Sequence, residues 1–221
     1  MHGKDVFDRL AILSGTSRGI GAAVADKVEL SGAAVIHIGR SATTGSADRH
    51  IRLDLNADHL ELGALEETID TAPDRAEWWF FDMAGVLPNM PVTDPGFDGR
   101  LREAFRVNAA NPLAIGSLLA SLAKRRNKPL NVVHLTSGAV RRAIPRWGAY
   151  CMTKAAAAMG WQMLSQENDN VTVHLVDPGV VDTDMQAGLR AKGDPNAAPK
   201  TALLSPEQAA DAILREARFI L

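Results

Sequence analysis

Short apolar runs alternate with longer amphipathic segments along most of this chain. The runs are rich in β-branched and aromatic residues, which is typical of buried strands, and they cover residues 10–14, 34–38, 51–53, 78–81, 131–135 and 171–176. Between and after them, apolar residues recur at three- and four-residue spacing, over residues 21–30, 60–71, 100–107, 112–126, 149–168 and 206–218. This alternation predicts an α/β fold: a doubly wound parallel sheet of the Rossmann type, with about six to seven strands and helices on both faces.

The chain length sets the domain organisation. A single hydrophobic core can extend over about 221 residues, so residues 1–221 are predicted to form a single dinucleotide-binding and catalytic domain. Gly, Pro, Ser and Asp mark loops at 41–48, 87–99, 138–145 and 186–204. Ligands bind at the carboxyl ends of such strands, so we assign substrate binding to a loop at about 184–205. A seventh strand has little room after the last helix.

Composition limits the partners and the compartment. The formal net charge of −2 gives no electrostatic reason to bind nucleic acid. Cys151 is the only cysteine, which excludes an intramolecular disulfide and favours a reducing compartment. The sequence shows neither a signal-peptide core nor an apolar stretch of about twenty residues. We therefore expect a soluble, cytoplasmic protein without a membrane partner.

A glycine cluster follows the first predicted strand and leads directly into a helix. It reads Gly15-Thr16-Ser17-Arg18-Gly19-Ile20-Gly21. Glycines permit a tight turn and close approach of a pyrophosphate to the backbone, and a helix N-terminus favours its charge. Strand-to-helix turns also use glycine for steric reasons alone, but the position after the first strand favours a dinucleotide.

The second strand indicates which dinucleotide. An NAD site normally places an acid there to hold the ribose hydroxyls, but no Asp or Glu occurs between Glu29 and Asp48. Arg40 follows this strand, and together with Arg18 it could bind a 2′-phosphate through charge-assisted hydrogen bonds. NADPH (NADP+) is therefore the preferred cofactor, with NADH possible. But for the absence of that acid, Arg40 would be interpreted as a solvated loop cation.

Polar residues after the fifth strand suggest acid-base chemistry. Ser137 follows this strand, and Tyr150, the only tyrosine of the chain, lies four residues before Lys154. Positions four apart share a helix face, so both side chains can reach one site. The Lys154 ammonium would lower the pKa of the phenol, and Ser137 could hydrogen-bond a substrate oxygen. The alternative is a Tyr/Lys pair at an interface or on the surface.

Together these residues resemble the classical short-chain dehydrogenase/reductase family over nearly the whole chain. Its glycine motif is similar to Gly15, Gly19 and Gly21, and its Ser and Tyr-x-x-x-Lys set to Ser137, Tyr150 and Lys154. The resemblance implies that Asn108 is the asparagine of the proton relay. It also implies cofactor contacts from Tyr150, Lys154 and residues of several loops: Gly15, Ser17, Arg18, Gly19, Ile20, Gly21, Arg40, Asp54, Leu55, Ala84, Gly85, Pro178, Gly179, Val181 and Thr183.

The chain departs from the family most clearly after the fourth strand. Asp82 and Met83 stand where the family usually has two asparagines, and Ser14 stands where threonine is usual. Ala84 and Gly85 still allow close approach of the backbone, so cofactor binding is expected to survive. The family's last strand is shortened or absent, which leaves the far edge of the sheet open.

The family resemblance implies NADPH-dependent reduction of a ketone or aldehyde carbonyl by hydride transfer, with Tyr150 as the acid. The segment at 182–186 resembles sepiapterin reductase and benzil reductase, which suggests a dicarbonyl or pterin-like substrate. The substrate walls are predicted at 86–90, 144–147 and 180–189. The alternatives are an NAD-dependent alcohol dehydrogenase of the same fold and a non-catalytic dinucleotide-sensing protein.

Two further expectations concern metals and assembly. His37, His134 and His174 lie in strands without the spacing of a zinc site, so we expect satisfied core histidines and no metal. Ala155 to Ala158 permit close approach of another element to the helix. The resemblance implies a homodimer or homotetramer built on this helix, and intramolecular packing is the alternative.

Overall fold

The computed structural model describes residues 8–41 and 49–220. In this part of the chain six parallel strands form one sheet, in the order β3-β2-β1-β4-β5-β6. They are β1 (Arg9–Ser14), β2 (Ala34–Gly39), β3 (His50–Arg52), β4 (Glu77–Asp82), β5 (Leu130–Leu135) and β6 (Val171–Val176). The order reverses direction between β1 and β4, which confirms the predicted doubly wound sheet.

Helices cover both faces of this sheet. The main helices are α1 (Gly19–Leu30), α2 (Gly63–Thr71), α3 (Phe97–Phe105), α4 (Asn111–Arg125), α5 (Gly148–Glu167), α6 (Asp184–Ala191) and α7 (Pro206–Glu216). One core packs α2, α4 and α5 against the sheet, and the other packs α1 and α7. None of the described helices is both long and apolar enough to cross a lipid bilayer.

Alternate side chains of each central strand belong to different cores, one on each face of the sheet. Leu10 and Ile12 of β1, and Trp78 and Phe80 of β4, face α4 and α5, whereas the residues between them face α1 and α7. Successive side chains of a strand point to opposite faces, so a sheet buried on both faces needs apolar residues at nearly every position. This explains why the strands appear in the sequence as continuous apolar runs.

A single turn of π-helix, Arg106–Ala110, joins α3 to α4. The sequence predicted a helix over 100–107, whereas α3 begins at Phe97 and the π-helical turn follows it. Such turns widen a helix and occur often at functional sites. In this fold the turn carries Asn108 at the carboxyl edge of the sheet.

The predicted loop at 186–204 is corrected by the structure, because α6 covers 184–191. A short 3-10 helix, Lys200–Ala202, follows before α7. Asp184 in the first turn and Arg190 in the last turn suit the helix dipole, and Leu189 is buried. After α7 no strand occurs up to residue 220, and the predicted loop at 41–48 lies almost entirely outside the described residues.

Candidate active site

The glycine turn packs directly against the end of β4. Gly15 has a φ of 72°, and a Cβ there would lie 2.5 Å from the backbone nitrogen of Ala84. A Cβ on Gly21 would lie 2.0 Å from the Gly15 carbonyl oxygen. α1 then begins at Gly19 with no side-chain cap and no acid in its first turn. The turn therefore leaves backbone N–H groups at a helix N-terminus for a pyrophosphate, which fits a dinucleotide.

Other residues predicted to bind the cofactor surround this turn. The Thr183 methyl group lies 3.2 Å from the position of a Cβ on Gly19, which has a φ of 58°. On the other side, Asn108 Oδ1 lies 3.6 Å from the position of a Cβ on Gly85. The structure thus brings the ends of β1, β4 and β6 to one edge, as ligand binding in such a sheet requires. Ser17 is exposed and Ile20 is partly buried in the same turn.

The two arginines expected at a 2′-phosphate are both exposed, but Arg18 already has a partner. Its guanidinium Nη1 donates to Asp184 Oδ2 at 2.9 Å, and both side chains are largely in solvent. Arg40 forms no ion pair with any described residue. The sequence did not point to Asp184 as a competitor for Arg18, because the pair joins two loops that are distant along the chain.

Asp54 and Leu55, expected at the adenine, follow β3. Asp54 is exposed and accepts the Asn56 backbone N–H at 2.9 Å, whereas Leu55 is buried. Buried Asn111 fixes this loop by donating to the Leu55 and Ala57 carbonyl oxygens at 2.8 and 2.9 Å. Sequence reasoning missed Asn111, although an amide beside a proline at a helix start was a signal for a capping or bracing role.

Tyr150 and Lys154 lie on one face of α5, and both are buried, with exposed fractions of 8% and 5%. The Lys154 ammonium donates to the Leu135 carbonyl oxygen at 2.7 Å and lies 5.9 Å from the centre of the Tyr150 ring. Ser137 follows β5, its hydroxyl accepts the Ala139 backbone N–H at 3.2 Å, and it lies near enough to the Tyr150 phenol to lower the pKa of that group. The three residues predicted to be catalytic therefore share one site.

The pKa of Tyr150 is shifted in the direction opposite to the one expected from a nearby Lys154 ammonium. Burial raises the pKa of Tyr150, and the hydrogen bond from Ser137 opposes this shift. Lys154 is turned toward the Leu135 carbonyl, and it is not among the groups that lower the pKa of the phenol. Burial lowers the pKa of Lys154 itself, and the Asp82 carboxylate opposes that shift. In this state the phenol is a protonated acid at neutral pH.

Asn108 is fixed by hydrogen bonds on both ends of its amide. Its Oδ1 accepts the Val86 backbone N–H at 2.8 Å, and its Nδ2 donates to the Val86 carbonyl at 2.9 Å. The same Nδ2 donates to Thr153 Oγ1 at 3.0 Å, and Thr153 is bonded to the Tyr150 carbonyl. Thr153, which sequence analysis did not single out, therefore ties the π-helical turn to the helix of Tyr150.

The predicted substrate walls meet around Tyr150. Leu87, Ile144, Trp147 and Leu189 belong to one apolar cluster with the tyrosine. Trp147 contacts Tyr150 edge-on, with ring centres 6.0 Å apart. Val180, by contrast, is exposed. The three predicted wall segments thus converge, and they make the surroundings of the phenol apolar.

α6 is held over this cluster by a buried hydrogen bond. Trp147 Nε1 donates to Asp194 Oδ2 at 2.7 Å, and the Asn196 backbone N–H donates to Asp194 Oδ1 at 2.7 Å. The two ends of this segment are held together by a β-bridge between Val181 and Leu204. The segment that was predicted as a substrate loop at about 184–205 therefore contains α6 and packs against the domain; we call residues 183–204 the strap.

Metal ligands do not cluster at this edge of the sheet. No group of three or more His, Cys, Asp or Glu in the described ranges is placed to hold a metal ion. His37 is bonded to Thr16 Oγ1 at 3.1 Å and to Glu29 at 2.9 Å. His134 Nε2 and His174 Nε2, however, are buried without a hydrogen-bond partner among the described residues. Those two rings are therefore not the fully satisfied histidines that were expected.

Comparison with known proteins places this geometry in a family. The model of the short chain dehydrogenase family matches residues 9–194. A short-chain type dehydrogenase/reductase from Picea abies is 32% identical, over 80% of this chain and 72% of its own length. Benzil reductase ((S)-benzoin forming) from Bacillus subtilis is 26% identical, over 82% of this chain and 78% of its own length.

A solved structure shows the same fold. The short chain dehydrogenase from Burkholderia cenocepacia J2315 in complex with NADP covers 96% of this chain and 84% of that chain, with a TM-score of 0.73 and 21% identity. The family match spans both the glycine turn and the set of Ser137, Tyr150 and Lys154. The chain therefore belongs to the short-chain dehydrogenase/reductase family of NAD(P)-dependent oxidoreductases.

Proposed function

We propose that this protein reduces a ketone or aldehyde to an alcohol, with NADPH as the hydride donor. One observation carries the proposal: the Tyr150 phenol is buried beside Ser137 and one helical turn from Lys154, at the same edge of the sheet as the glycine turn. A positioned acid at the end of a parallel sheet, beside a dinucleotide turn, suits hydride transfer to a carbonyl.

The chain's own side chains divide the acid-base work. The dinucleotide, when bound, supplies the hydride to the carbonyl carbon. Tyr150 donates its proton to the carbonyl oxygen, and the raised pKa of the buried phenol keeps that proton in place at neutral pH. Ser137 donates a hydrogen bond to the same oxygen and stabilises its developing charge. Lys154, one helical turn from Tyr150, holds the nicotinamide ribose. Asn108 supports return of a proton.

The apolar walls favour a compact, uncharged carbonyl compound. Leu87, Ile144, Trp147 and Leu189 surround the phenol and offer aromatic and aliphatic surface. The similarity to benzil reductase supports a 1,2-diketone flanked by apolar groups. We therefore propose a dicarbonyl as the substrate class to test first.

The cofactor preference rests on the end of β2 and on Arg18. No acid lies in β2 to hold a ribose 2′-hydroxyl, and Arg18 and Arg40 are exposed near this edge. A guanidinium binds a phosphate through charge-assisted hydrogen bonds. NADPH is therefore the proposed donor, with the Arg18–Asp184 pair opening when the cofactor binds.

Turnover by wild type and Tyr150→Phe tests the proposal. NADPH oxidation is followed by absorbance with a panel of ketones, 1,2-diketones and aldehydes. We expect turnover on at least one class, a loss of about 100-fold or more in Tyr150→Phe, and NADPH binding retained in the variant. Ser165→Ala, which also deletes one hydroxyl from α5 but far from Tyr150, should retain full activity. Normal NADPH binding without turnover on any substrate would instead support a dinucleotide-sensing protein.

The surface of α5 supports a homo-oligomer. Met152, Met159 and Met163 are exposed at helical spacing, with exposed fractions of 41%, 60% and 46%. Exposed apolar side chains on one face of a helix favour association. We propose that a second copy of the chain packs there, with a small-molecule carbonyl compound as the other partner.

The proposed location is the cytoplasm. Cys151 is partly buried in α5 and is the single cysteine of the chain. A chain without a possible intramolecular disulfide suits a reducing compartment.

A further inference from the structure

Three polar residues lie side by side near the carboxyl ends of β1, β4 and β5, where the apolar residues of these strands stop. In the register of the strands Ser14 of β1 lies opposite Asp82 of β4, and Asp82 lies opposite His134 of β5. All three share the sheet face that packs against α4 and α5, because they continue the alternation of Ile12, Phe80 and Val132. They therefore lie directly under the helix that carries Tyr150 and Lys154.

Asp82 and His134 form a buried pair. His134 Nδ1 lies 2.7 Å from Asp82 Oδ2, and both side chains are only 1% exposed. Ser14 Oγ donates to Asp82 Oδ1 at 3.3 Å and accepts the Met83 backbone N–H at the same distance. The carboxylate is thus fixed on both oxygens by the neighbouring strands.

The surroundings of His134 Nε2 indicate the net charge of the Asp82–His134 pair. His134 Nε2 is buried and has no partner within residues 8–41 and 49–220. A cationic imidazole would leave a charged N–H without an acceptor in the core, which is far more costly than an unused lone pair. His134 is therefore neutral, with its proton on Nδ1 toward Asp82, and burial accordingly lowers its pKa. The negative charge of Asp82 is not cancelled within the pair.

A buried cation, the Lys154 ammonium, lies at the end of the strand that pairs with Asp82. It donates to the carbonyl of Leu135, the residue after His134. Burial lowers the pKa of Lys154, and Asp82 is the group that raises it. The other titratable groups on this side are Tyr150 and Cys151 of α5 itself, and Asp177 after β6, which acts on Tyr150. No second carboxylate acts on Lys154 in the described part of the chain.

We propose that Asp82, held by His134, is a positioning residue that keeps Lys154 in its ammonium form at the active site. Where the family has a neutral amide, this chain has a carboxylate together with a histidine that orients it. The inference rests on the proposed function for the role of Lys154 in turnover. The charge relation between Asp82 and Lys154 does not depend on that function.

Titration of Lys154 in the cofactor-free protein tests the charge relation. Protein labelled with ¹³C at lysine Cε is followed by NMR across alkaline pH, with Lys154→Arg to assign the signal. In Asp82→Asn we expect the pKa of Lys154 to fall by about one unit or more. Ser14→Ala removes the neutral hydrogen bond to the same carboxylate and should leave the titration unchanged. An unshifted Lys154 in folded Asp82→Asn overturns the proposal.

The state of His134 gives a second test that needs only the wild-type protein. The ¹⁵N shifts of the ring at pH 7 should show a protonated Nδ1 and an unprotonated Nε2. A doubly protonated His134 at pH 7 would cancel the charge of Asp82 and would contradict the proposal. This measurement decides the matter even where Asp82→Asn does not fold.

The pH profile of turnover separates this inference from the proposed function. In Asp82→Asn the alkaline limb of kcat/KM should move to lower pH, because Lys154 then loses its proton at lower pH. The shift should match the change in the Lys154 titration. A limb that stays in place while the Lys154 titration moves would overturn the role in turnover. Absence of turnover in wild type would refute the proposed function, and the two NMR results would still decide the charge relation.

Discussion

Arg18, directly before α1, and Asp184, the first residue of α6, form an ion pair. Their ion pair is exposed, so it contributes little to the free energy of folding and can open readily. A phosphate would compete with the carboxylate for the same guanidinium, because both offer oxygens for charge-assisted hydrogen bonds. The proposed preference for NADPH can therefore be tested at Arg18.

Replacing Arg18 by alanine should weaken NADPH selectively. We expect the Kd for NADPH to rise about tenfold or more and the Kd for NADH to change little, since NADH lacks the 2′-phosphate. Asp184→Asn should lower the Kd for NADPH by freeing Arg18. Fluorescence titration measures these constants, and Arg102→Ala, which breaks another exposed arginine–aspartate pair, serves as the control. Equal weakening of both cofactors in Arg18→Ala would contradict this role.

The residues of the site differ in how well sequence could predict them. Ser137, Tyr150 and Lys154 could be found because a strand end and a four-residue helical spacing place them locally. The pairing of Asp82 with His134 could not, since it depends on the register between β4 and β5, which the sequence does not state. The same holds for the Arg18–Asp184 pair.

The strap formed by residues 183–204 packs on the apolar cluster around Tyr150. Sequence predicted a loop because Gly188, Gly193 and Pro195 interrupt the pattern. Tertiary contacts instead form α6, with Leu189 buried beside Trp147 and Tyr150. The strands, whose apolar runs are buried on both faces in the centre of the sheet, could be predicted to within a residue or two.

Asp194→Ala should loosen this strap. The variant leaves the buried Trp147 Nε1–H without its acceptor and frees the chain beyond α6. We expect KM for the carbonyl substrate to rise roughly tenfold while the Kd for NADPH is unchanged. Steady-state kinetics measures the first quantity, and Asp74→Ala, which removes an exposed aspartate paired with Lys128, is the matched control. An unchanged KM would mean that the strap does not line the substrate site.

At the scale of the whole molecule, the residues of the candidate site lie together at one edge of the sheet. The reversal of strand order between β1 and β4 brings the glycine turn, Ala84, Asn108 and Ser137 to the carboxyl ends of parallel strands. This arrangement followed from the alternation of strands and helices, and the structure confirms it. The proposed association involves the face of α5 on which Met152, Met159 and Met163 are exposed.

A charge on that face should prevent assembly. Met159→Glu places a carboxylate in the proposed interface, so we expect a species of half the wild-type mass or smaller by light scattering during gel filtration. Leu30→Glu alters an exposed apolar residue at the end of α1 and should keep the wild-type mass. A wild-type protein that is monomeric at micromolar concentration would contradict the proposed oligomer.

The most direct measurement of the central claim is deuteride transfer from NADPH labelled at C4. The substrate is a 1,2-diketone that wild type reduces. When the C4 hydrogen that the enzyme transfers is replaced by deuterium, the alcohol product should be one mass unit heavier. Tyr150→Phe should form almost no labelled alcohol. Such a result would mean that hydride passes directly to the carbonyl carbon at the site of Tyr150. Alcohol formed without deuterium from either C4 position, or labelled product made equally well by Tyr150→Phe, would contradict the account.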